Sequence, residues 1–98
     1  MDPRLFGVWN SDEKDDDTRN SIGSVTMTFT HDGTLIYDIH ENNKIQRINL
    51  VYKIDGDMIV SDQPSHPKEQ VTIYRLENDN TLILEFENMK TKFIKEKK

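Results

Sequence analysis

Acidic side chains are the reactive groups that this sequence concentrates most clearly. Residues 12–17 read Asp-Glu-Lys-Asp-Asp-Asp, which places five carboxylates around one ammonium group. Carboxylates at this density attract a basic protein and speed its encounter, and they can occupy an anion site built for phosphates. Two glutamates near the end of the chain form a second acidic patch in this interpretation. The candidate partner-binding residues are therefore Asp12, Glu13, Asp15, Asp16, Asp17, Glu85 and Glu87.

The charge balance of the whole chain points to the same class of partner. The 98 residues include 13 basic and 18 acidic side chains, which give a formal net charge of −5. Residues 90–98 carry +4, so the remaining 89 residues carry −9. Nucleic-acid binding requires clustered lysine and arginine, so this balance argues against a nucleic-acid partner. The lysine-rich end is expected to be a solvent-exposed terminus.

Groups for catalysis or metal binding are sparse. The chain has no cysteine, which excludes thiolate chemistry and disulfides. His31, His40 and His66 lack the spacing of a metal site, and residues 55–57 do not fit a calcium-binding loop. No nucleophile elbow and no glycine-rich phosphate loop occurs. The sequence therefore predicts a non-enzymatic protein with no cofactor and no bound metal.

Composition indicates the number of domains, the size of the core and the cellular compartment. Apolar residues make up 34% and charged residues 32% of the chain. No run approaches the ~18 consecutive apolar residues of a membrane span, and residues 1–5 lack the apolar core of a secretory signal. We expect one domain over residues 1–98, with a thin core, in the cytoplasm and without a membrane partner.

Alternation of apolar and polar residues predicts the strands that must position these groups. In residues 24–30, three apolar side chains alternate with serine and threonine. A three-residue loop with Gly33 in a left-handed conformation keeps the apolar residues of the next strand on the same face. The resulting register pairs Val25 with Ile39, Met27 with Tyr37 and Phe29 with Leu35.

A second hairpin is predicted by charge as well as by alternation. A two-residue turn at Asn42 and Asn43 suits the positive φ that such turns require. This turn pairs Glu41 with Lys44, Asp38 with Arg47, Tyr37 with Ile48 and Leu35 with Leu50, which joins opposite charges and apolar residues.

The remaining strands are predicted at 5–9, 58–61, 71–76, 81–87 and 90–95, with no helix. An acidic loop runs to Asn20, residues 62–70 form a surface loop, and the register of 58–61 stays open. A four-residue loop at 77–80 sets Leu76 against Leu82 and Tyr74 against Leu84.

Eight sequential antiparallel strands joined by tight turns predict an all-β, up-and-down small barrel, closed or half-open. Because the strands are short, we expect the interior to be filled or to leave only a very small cavity. The predicted inward residues are Trp9, Val25, Met27, Phe29, Leu35, Tyr37, Ile39, Ile48, Leu50, Tyr52, Ile54, Tyr74, Leu76, Leu82, Leu84, Phe86 and Phe93.

Gly7-Val8-Trp9 at the head of this meander resembles the calycin superfamily, and more narrowly its short bacterial lipocalin-like domains. The ordered series continues through 29–35, 52–57, Leu82-x-Leu84 and Thr91-x-Phe93 and so covers nearly the whole chain. In that family the tryptophan closes one end of the barrel and a basic residue of the last strand packs across it. The resemblance implies Lys92 or Lys95 for this role, and the spacing favours Lys95.

Two functions from different classes remain open at this stage. The first is a protein-binding module, such as a cytosolic inhibitor or immunity protein that neutralises a basic toxin nuclease through its acidic surface. Outward-facing Ile36, Val51, Ile73 and Ile83 would add an apolar centre to such an interface if they cluster. An accessory domain with another kind of partner also fits the sequence.

The alternative, implied by the resemblance, is a lipocalin-like carrier of a small apolar ligand inside the barrel. Its candidate ligand-binding residues are the inward aromatic residues Trp9, Phe29, Tyr37, Tyr52, Tyr74 and Phe86.

Overall fold

Eight antiparallel strands follow one another around a closed barrel in the order of the chain. The computed structural model describes residues 2–65 and 67–96. The strands are β1 Gly7–Ser11, β2 Ser24–Phe29, β3 Thr34–Glu41, β4 Lys44–Asp55, β5 Met58–Asp62, β6 Gln70–Asn78, β7 Thr81–Phe86 and β8 Met89–Lys95. The predicted meander is confirmed, and pairing of β1 with β8 closes it without a free sheet edge. The predicted loop position of His66 and the end of the lysine-rich tail lie outside the described residues.

The two hairpin registers predicted from alternation are confirmed. Met27 pairs with Tyr37 across β2 and β3, and Asp38 pairs with Arg47 across β3 and β4. Gly33 has φ +87°, and Asn42 has φ +48°, as these turns require. The register of β5, which the sequence left open, is set by the pairing of Tyr52 with Ser61 and of Ile54 with Ile59.

The turn between β6 and β7 is shorter than predicted, although the predicted register of these two strands is correct. Leu76 pairs with Leu82 and Tyr74 with Leu84. An irregularity between Leu76 and Asn78 then extends the pairing to Asn78 and Thr81, so only residues 79 and 80 form the turn. A β-bulge of this kind absorbs one extra residue without changing which side chains face inward before it.

The prediction of an entirely helix-free chain is wrong in two places. A 3₁₀-helix, η1, spans Pro3–Leu5, so the first strand begins at Gly7 rather than at residue 5. An α-helix, α1, spans Asp16–Ile22 within the segment predicted as an acidic loop. The Asp15 carboxylate accepts a hydrogen bond from the Thr18 backbone N–H at 3.1 Å and caps this helix. Seven residues are too few for the 3.6-residue periodicity to be visible in the sequence.

The hydrophobic core follows the predicted inward face, with two additions. Leu5, from η1, and Ile59, from β5, are buried together with the expected residues. The buried core residues are Leu5, Trp9, Val25, Met27, Phe29, Leu35, Tyr52, Ile59, Tyr74, Leu82 and Phe93. Most of the fully buried aromatic and leucine side chains lie toward one end of the barrel, which makes the two ends different.

Candidate ligand-binding site

The up-and-down topology gives the barrel two distinct ends. At one, here called the closed end, lie η1, the turns that follow β2, β4 and β6, and the end of β8. At the other, the open end, lie α1, the β3–β4 turn, the segment 63–69 and the β7–β8 turn. Residues at the closed end fill the barrel, whereas residues toward the open end surround a cavity.

The N-terminal residues 2–9, here called the plug, fill the closed end of the barrel. Leu5 and Trp9 have no solvent-accessible surface, and the Trp9 indole Nε1–H donates to the Leu5 carbonyl oxygen at 2.9 Å. The Lys95 Nζ lies 5.4 Å from the centre of the Trp9 ring and donates to the Arg4 carbonyl oxygen at 3.3 Å. The placement of Lys95 across the tryptophan is therefore confirmed, and it ties the last strand to η1.

A second set of contacts ties the plug to β6. The Tyr74 hydroxyl donates to the Asp2 carboxylate at 2.9 Å, and the Arg4 guanidinium donates to the same carboxylate at 2.8 Å. The hydrogen bond from Arg4 lowers the pKa of Asp2 to about 2. Burial, together with the Asp2 carboxylate, raises the pKa of Tyr74 to about 12. The neutral phenol and the ionised carboxylate are thus the forms that the folded protein favours.

These contacts predict that barrel stability falls at both extremes of pH. The contribution of Asp2 is present above its ordinary pKa of 3.8 and is lost as the pH falls through about 2. The contribution of Tyr74 is complete below its ordinary pKa of 10.0 and is lost as the pH rises through about 12. Tyr74→Phe should therefore reduce the alkaline loss and lower the free energy of unfolding at neutral pH by about 1 kcal/mol.

Urea unfolding of the wild type and of Tyr74→Phe, measured across the pH range, checks this. Burial also raises the pKa of Tyr37 and Tyr52, so part of the alkaline loss should persist in the variant. Asp2→Asn is the matched variant for the acid side. An alkaline loss as large in Tyr74→Phe as in the wild type would contradict the assignment.

Beyond the plug, the interior widens into a cavity of about 390 Å³ that extends to the open end. The barrel is therefore not filled, in contrast to the expectation from strand length. Three small inward side chains explain the difference, since Ser61, Thr72 and Thr91 line this half of the interior. Trp9 and Tyr74, whose rings could have filled the space, lie at the closed end instead. The volume lies within the range of about 300–1,000 Å³ that is usual for ligand pockets.

The cavity wall is mainly apolar, with a stripe of polar side chains on one side. The apolar part consists of Ile22, Met27, Phe29, Leu35, Ile48, Leu50, Ile59, Leu84, Phe86, Met89 and Phe93. Four polar residues from β5, β6 and the segment between them form what we call the polar stripe: Ser61, Gln63, Gln70 and Thr72. Tyr37 and Thr91 complete the wall.

The structure brings together three of the six aromatic residues predicted to bind a ligand. Phe29, Tyr37 and Phe86 line the cavity. Trp9 and Tyr74 belong to the closed end, and the Tyr52 hydroxyl donates to the Thr30 carbonyl oxygen at 3.0 Å. These three residues are buried and lie outside the lining of the cavity.

The polar stripe is the part of the site that the sequence reasoning missed. Thr72 shares the alternation of Tyr74 within the predicted strand 71–76, so its inward position could have been inferred, and a strand that began at Gln70 would have turned Gln70 toward the interior as well. Ser61 could not be placed, because the register of β5 was open. Ile22 enters the wall only because α1 is helical.

Electrostatically, the cavity is neutral. Of the described residues that line it, none carries a charge. The Tyr37 hydroxyl has no hydrogen-bond partner among residues 2–65 and 67–96, and burial raises the pKa of this side chain, which keeps it protonated. An adjoining groove shares Leu50 and three residues of the polar stripe, Ser61, Gln63 and Gln70, and it also contains the charged residues Asp62 and Lys68.

Three of the acidic residues predicted to bind a partner contact other residues of this chain. Asp15 caps α1, and the Asp16 carboxylate pairs with the Arg19 guanidinium at 2.6 Å. The Asp12 carboxylate accepts from the Lys14 backbone N–H at 3.0 Å and lies 4.0 Å from the Lys92 ammonium group. Glu13, Asp16 and Asp17 are exposed, and the pair of Asp16 with Arg19 lies on the surface.

The second acidic patch is divided as well. Glu85 lies on β7 directly opposite Lys90 of β8. Glu87, predicted at the end of a strand, instead occupies the β7–β8 turn with φ +49°. Acidic and basic side chains therefore lie next to each other at the β7–β8 hairpin. Binding to a basic protein stays a prediction of the sequence.

The outward apolar residues form one small cluster rather than a continuous patch. Ile73 and Ile83 line a shallow groove together with Glu85, Lys90 and Arg75. Ile36 and Val51 lie elsewhere, on β3 and β4.

The described residues contain neither a metal site nor a membrane-spanning helix. In the described part of the chain, no three His, Asp or Glu side chains are grouped so as to hold a metal ion. His40 faces outward, and its Nε2 lies 2.9 Å from the Thr26 hydroxyl oxygen. Within the same residues, no helix has the length and apolar character needed to cross a membrane.

Comparison with known proteins adds no assignment to this geometry. No protein-family model, curated protein or solved structure matches the chain.

Proposed function

We propose that this protein binds a small apolar ligand inside the open half of its barrel. The observation that carries the proposal is the cavity of about 390 Å³, which is lined mainly by apolar side chains and reaches the open end. Because the cavity is open to solvent at one end, water contacts its apolar lining when no ligand is bound. An apolar ligand that fills the cavity removes this surface from water.

The volume limits the size of the ligand. A cavity of about 390 Å³ lies near the lower end of the range of about 300–1,000 Å³ for ligand pockets, so it suits a small molecule rather than a large lipid. Burying about nine methylene groups contributes about 7 kcal/mol, which the loss of translational and rotational freedom partly offsets. The net free energy of binding is therefore smaller than this figure, so we expect dissociation constants above about 10 µM.

The resemblance to lipocalin-like domains supports this proposal. The packing of Lys95 across Trp9 agrees with the arrangement that the resemblance implies for a barrel closed at one end. Binding to a basic protein, such as a toxin nuclease, ranks second, because Asp12 and Asp15 accept hydrogen bonds within the chain and Glu85 lies opposite Lys90.

Methyl-resolved NMR during titration with 1-decanol tests the proposal. Decanol has about the right size and a flexible apolar chain. We expect its addition to shift the methyl signals of cavity residues such as Leu50, Ile59 and Leu84 and to leave those of outward-facing Val51 and Ile73 in place. Shifts confined to the outward-facing methyl groups, or no shifts at all, would contradict binding in the barrel.

A further inference from the structure

We infer that the ligand is electrically neutral and carries a hydrogen-bonding group that lies against the polar stripe. This inference rests on the proposed function and specifies the chemical class of the ligand. It predicts an alcohol, ketone or amide with an apolar body rather than a fatty acid or an amine.

The polar stripe is a continuous feature that crosses two strands. Ser61 and Gln70 are directly opposite each other on β5 and β6, and Thr72 follows Gln70 on the same face. Gln63 comes directly after β5, and its side-chain amide donates to the Ser65 hydroxyl oxygen at 3.2 Å. The side chains of Ser61, Gln70 and Thr72 have no hydrogen-bond partner among the described residues, so they can bond to a ligand.

The position of the stripe sets the orientation of the ligand. Gln70 is exposed at the start of β6, which places it at the open end. Phe29 and Leu35 are buried, and they flank the β2–β3 turn at the closed end. An amphipathic ligand therefore has its apolar chain toward Phe29 and Leu35 and its polar group toward Gln70.

The described lining carries no charge, so desolvation disfavours a charged ligand in the cavity. A carboxylate or an ammonium group in the cavity would lose part of its hydration without gaining a counter-ion. Asp62 and Lys68 lie in the adjoining groove rather than in the cavity lining, and their formal charges cancel. The Asp62 carboxylate also accepts a hydrogen bond from the Lys68 backbone N–H at 2.8 Å.

Isothermal titration calorimetry near neutral pH with 1-decanol, decanoate and decylammonium tests the inference. The three probes share one chain length and differ in the charge of the head group. We expect decanol to bind at least about tenfold more tightly than either ion. Equal binding of the three probes, or tighter binding of an ion, would overturn the inference and leave the proposed function standing. Binding of none would overturn both.

Variants of Gln70 test the position of the polar group. Gln70→Leu should weaken decanol binding by about two- to tenfold, which is the effect of losing one hydrogen bond. Gln46→Leu is the matched control, because Gln46 is exposed on β4 and lies outside the cavity lining. Gln70→Lys should raise the affinity for decanoate. If Gln70→Leu and Gln46→Leu change decanol binding equally, the polar group does not lie at the stripe.

Discussion

The Thr72→Phe variant is expected to lose more than about tenfold of its affinity for 1-decanol while keeping its fold. Thr72 lies opposite Ile59 and faces the cavity, so a phenyl ring at this position occupies the space that the ligand needs. The free energy of unfolding should stay equal or rise by about 1 kcal/mol, because the ring fills a void and buries apolar surface. Calorimetric titration and urea unfolding measure the two effects.

Thr28→Phe is the matched control for this prediction. Thr28 lies on β2 between inward-facing Met27 and Phe29, so its side chain points out of the barrel. The same chemical change at this position should leave decanol affinity unaltered. Retention of full affinity in Thr72→Phe would show that the ligand binds somewhere other than the cavity.

The second large effect is expected at the closed end, where Trp9→Ala should lower the free energy of unfolding by about 3–5 kcal/mol. The side chain is completely buried and its indole N–H bonds to the Leu5 carbonyl oxygen, so its removal opens a void and unpairs a buried acceptor. Small domains are stable by only about 5–15 kcal/mol, so much of the variant should unfold at moderate urea concentrations. Circular dichroism is the appropriate measurement, because Trp9 is the single tryptophan of the chain.

Two milder variants separate the contributions at this site. Trp9→Phe keeps most of the apolar volume but removes the indole donor, and should cost about 1–3 kcal/mol. Lys95→Met keeps the length of the side chain and removes its charge, and should cost at most about 1 kcal/mol. A loss in Trp9→Ala no larger than that in Lys95→Met would contradict the role of Trp9 as the centre of the plug.

Strand registers could be predicted because two independent patterns agreed. Side chains alternate with a period of two along a strand, so a shift of one residue would have turned Met27 and Tyr37 to solvent. Gly33 and Asn42 tolerate positive φ, which fixed the length of the turns. The β-bulge beyond Leu76 was not predictable, because Glu77 and Asn78 suit a loop and a strand end equally well.

Helix α1 could not be predicted because contacts from a distant part of the chain stabilise it. Thr18 is fully buried, and its hydroxyl oxygen accepts a hydrogen bond from the Lys92 backbone N–H at 2.7 Å. This contact joins residues far apart in sequence, whereas the local signal is only the cap at Asp15. The acidic segment therefore suggested a solvated loop.

The cavity was beyond prediction for a related reason. Alternation tells which side chains face the interior, but whether they fill it depends on their volumes at each level of a closed, staggered barrel. The sequence lists large inward residues, and the structure places Trp9 and Tyr74 at the same end. Ser61 and Thr72 remain at the other end, which leaves the space open.

Binding inside the barrel can be observed directly in a crystal structure of the protein with 10-bromo-1-decanol, in which anomalous scattering locates the bromine. We expect one bromine site deep in the barrel beside Phe29 and Leu35, with the hydroxyl group of the ligand at the polar stripe. A bromine site on the outer surface, such as the groove of Ile73 and Ile83, or an empty cavity at saturating ligand, would contradict binding inside the barrel.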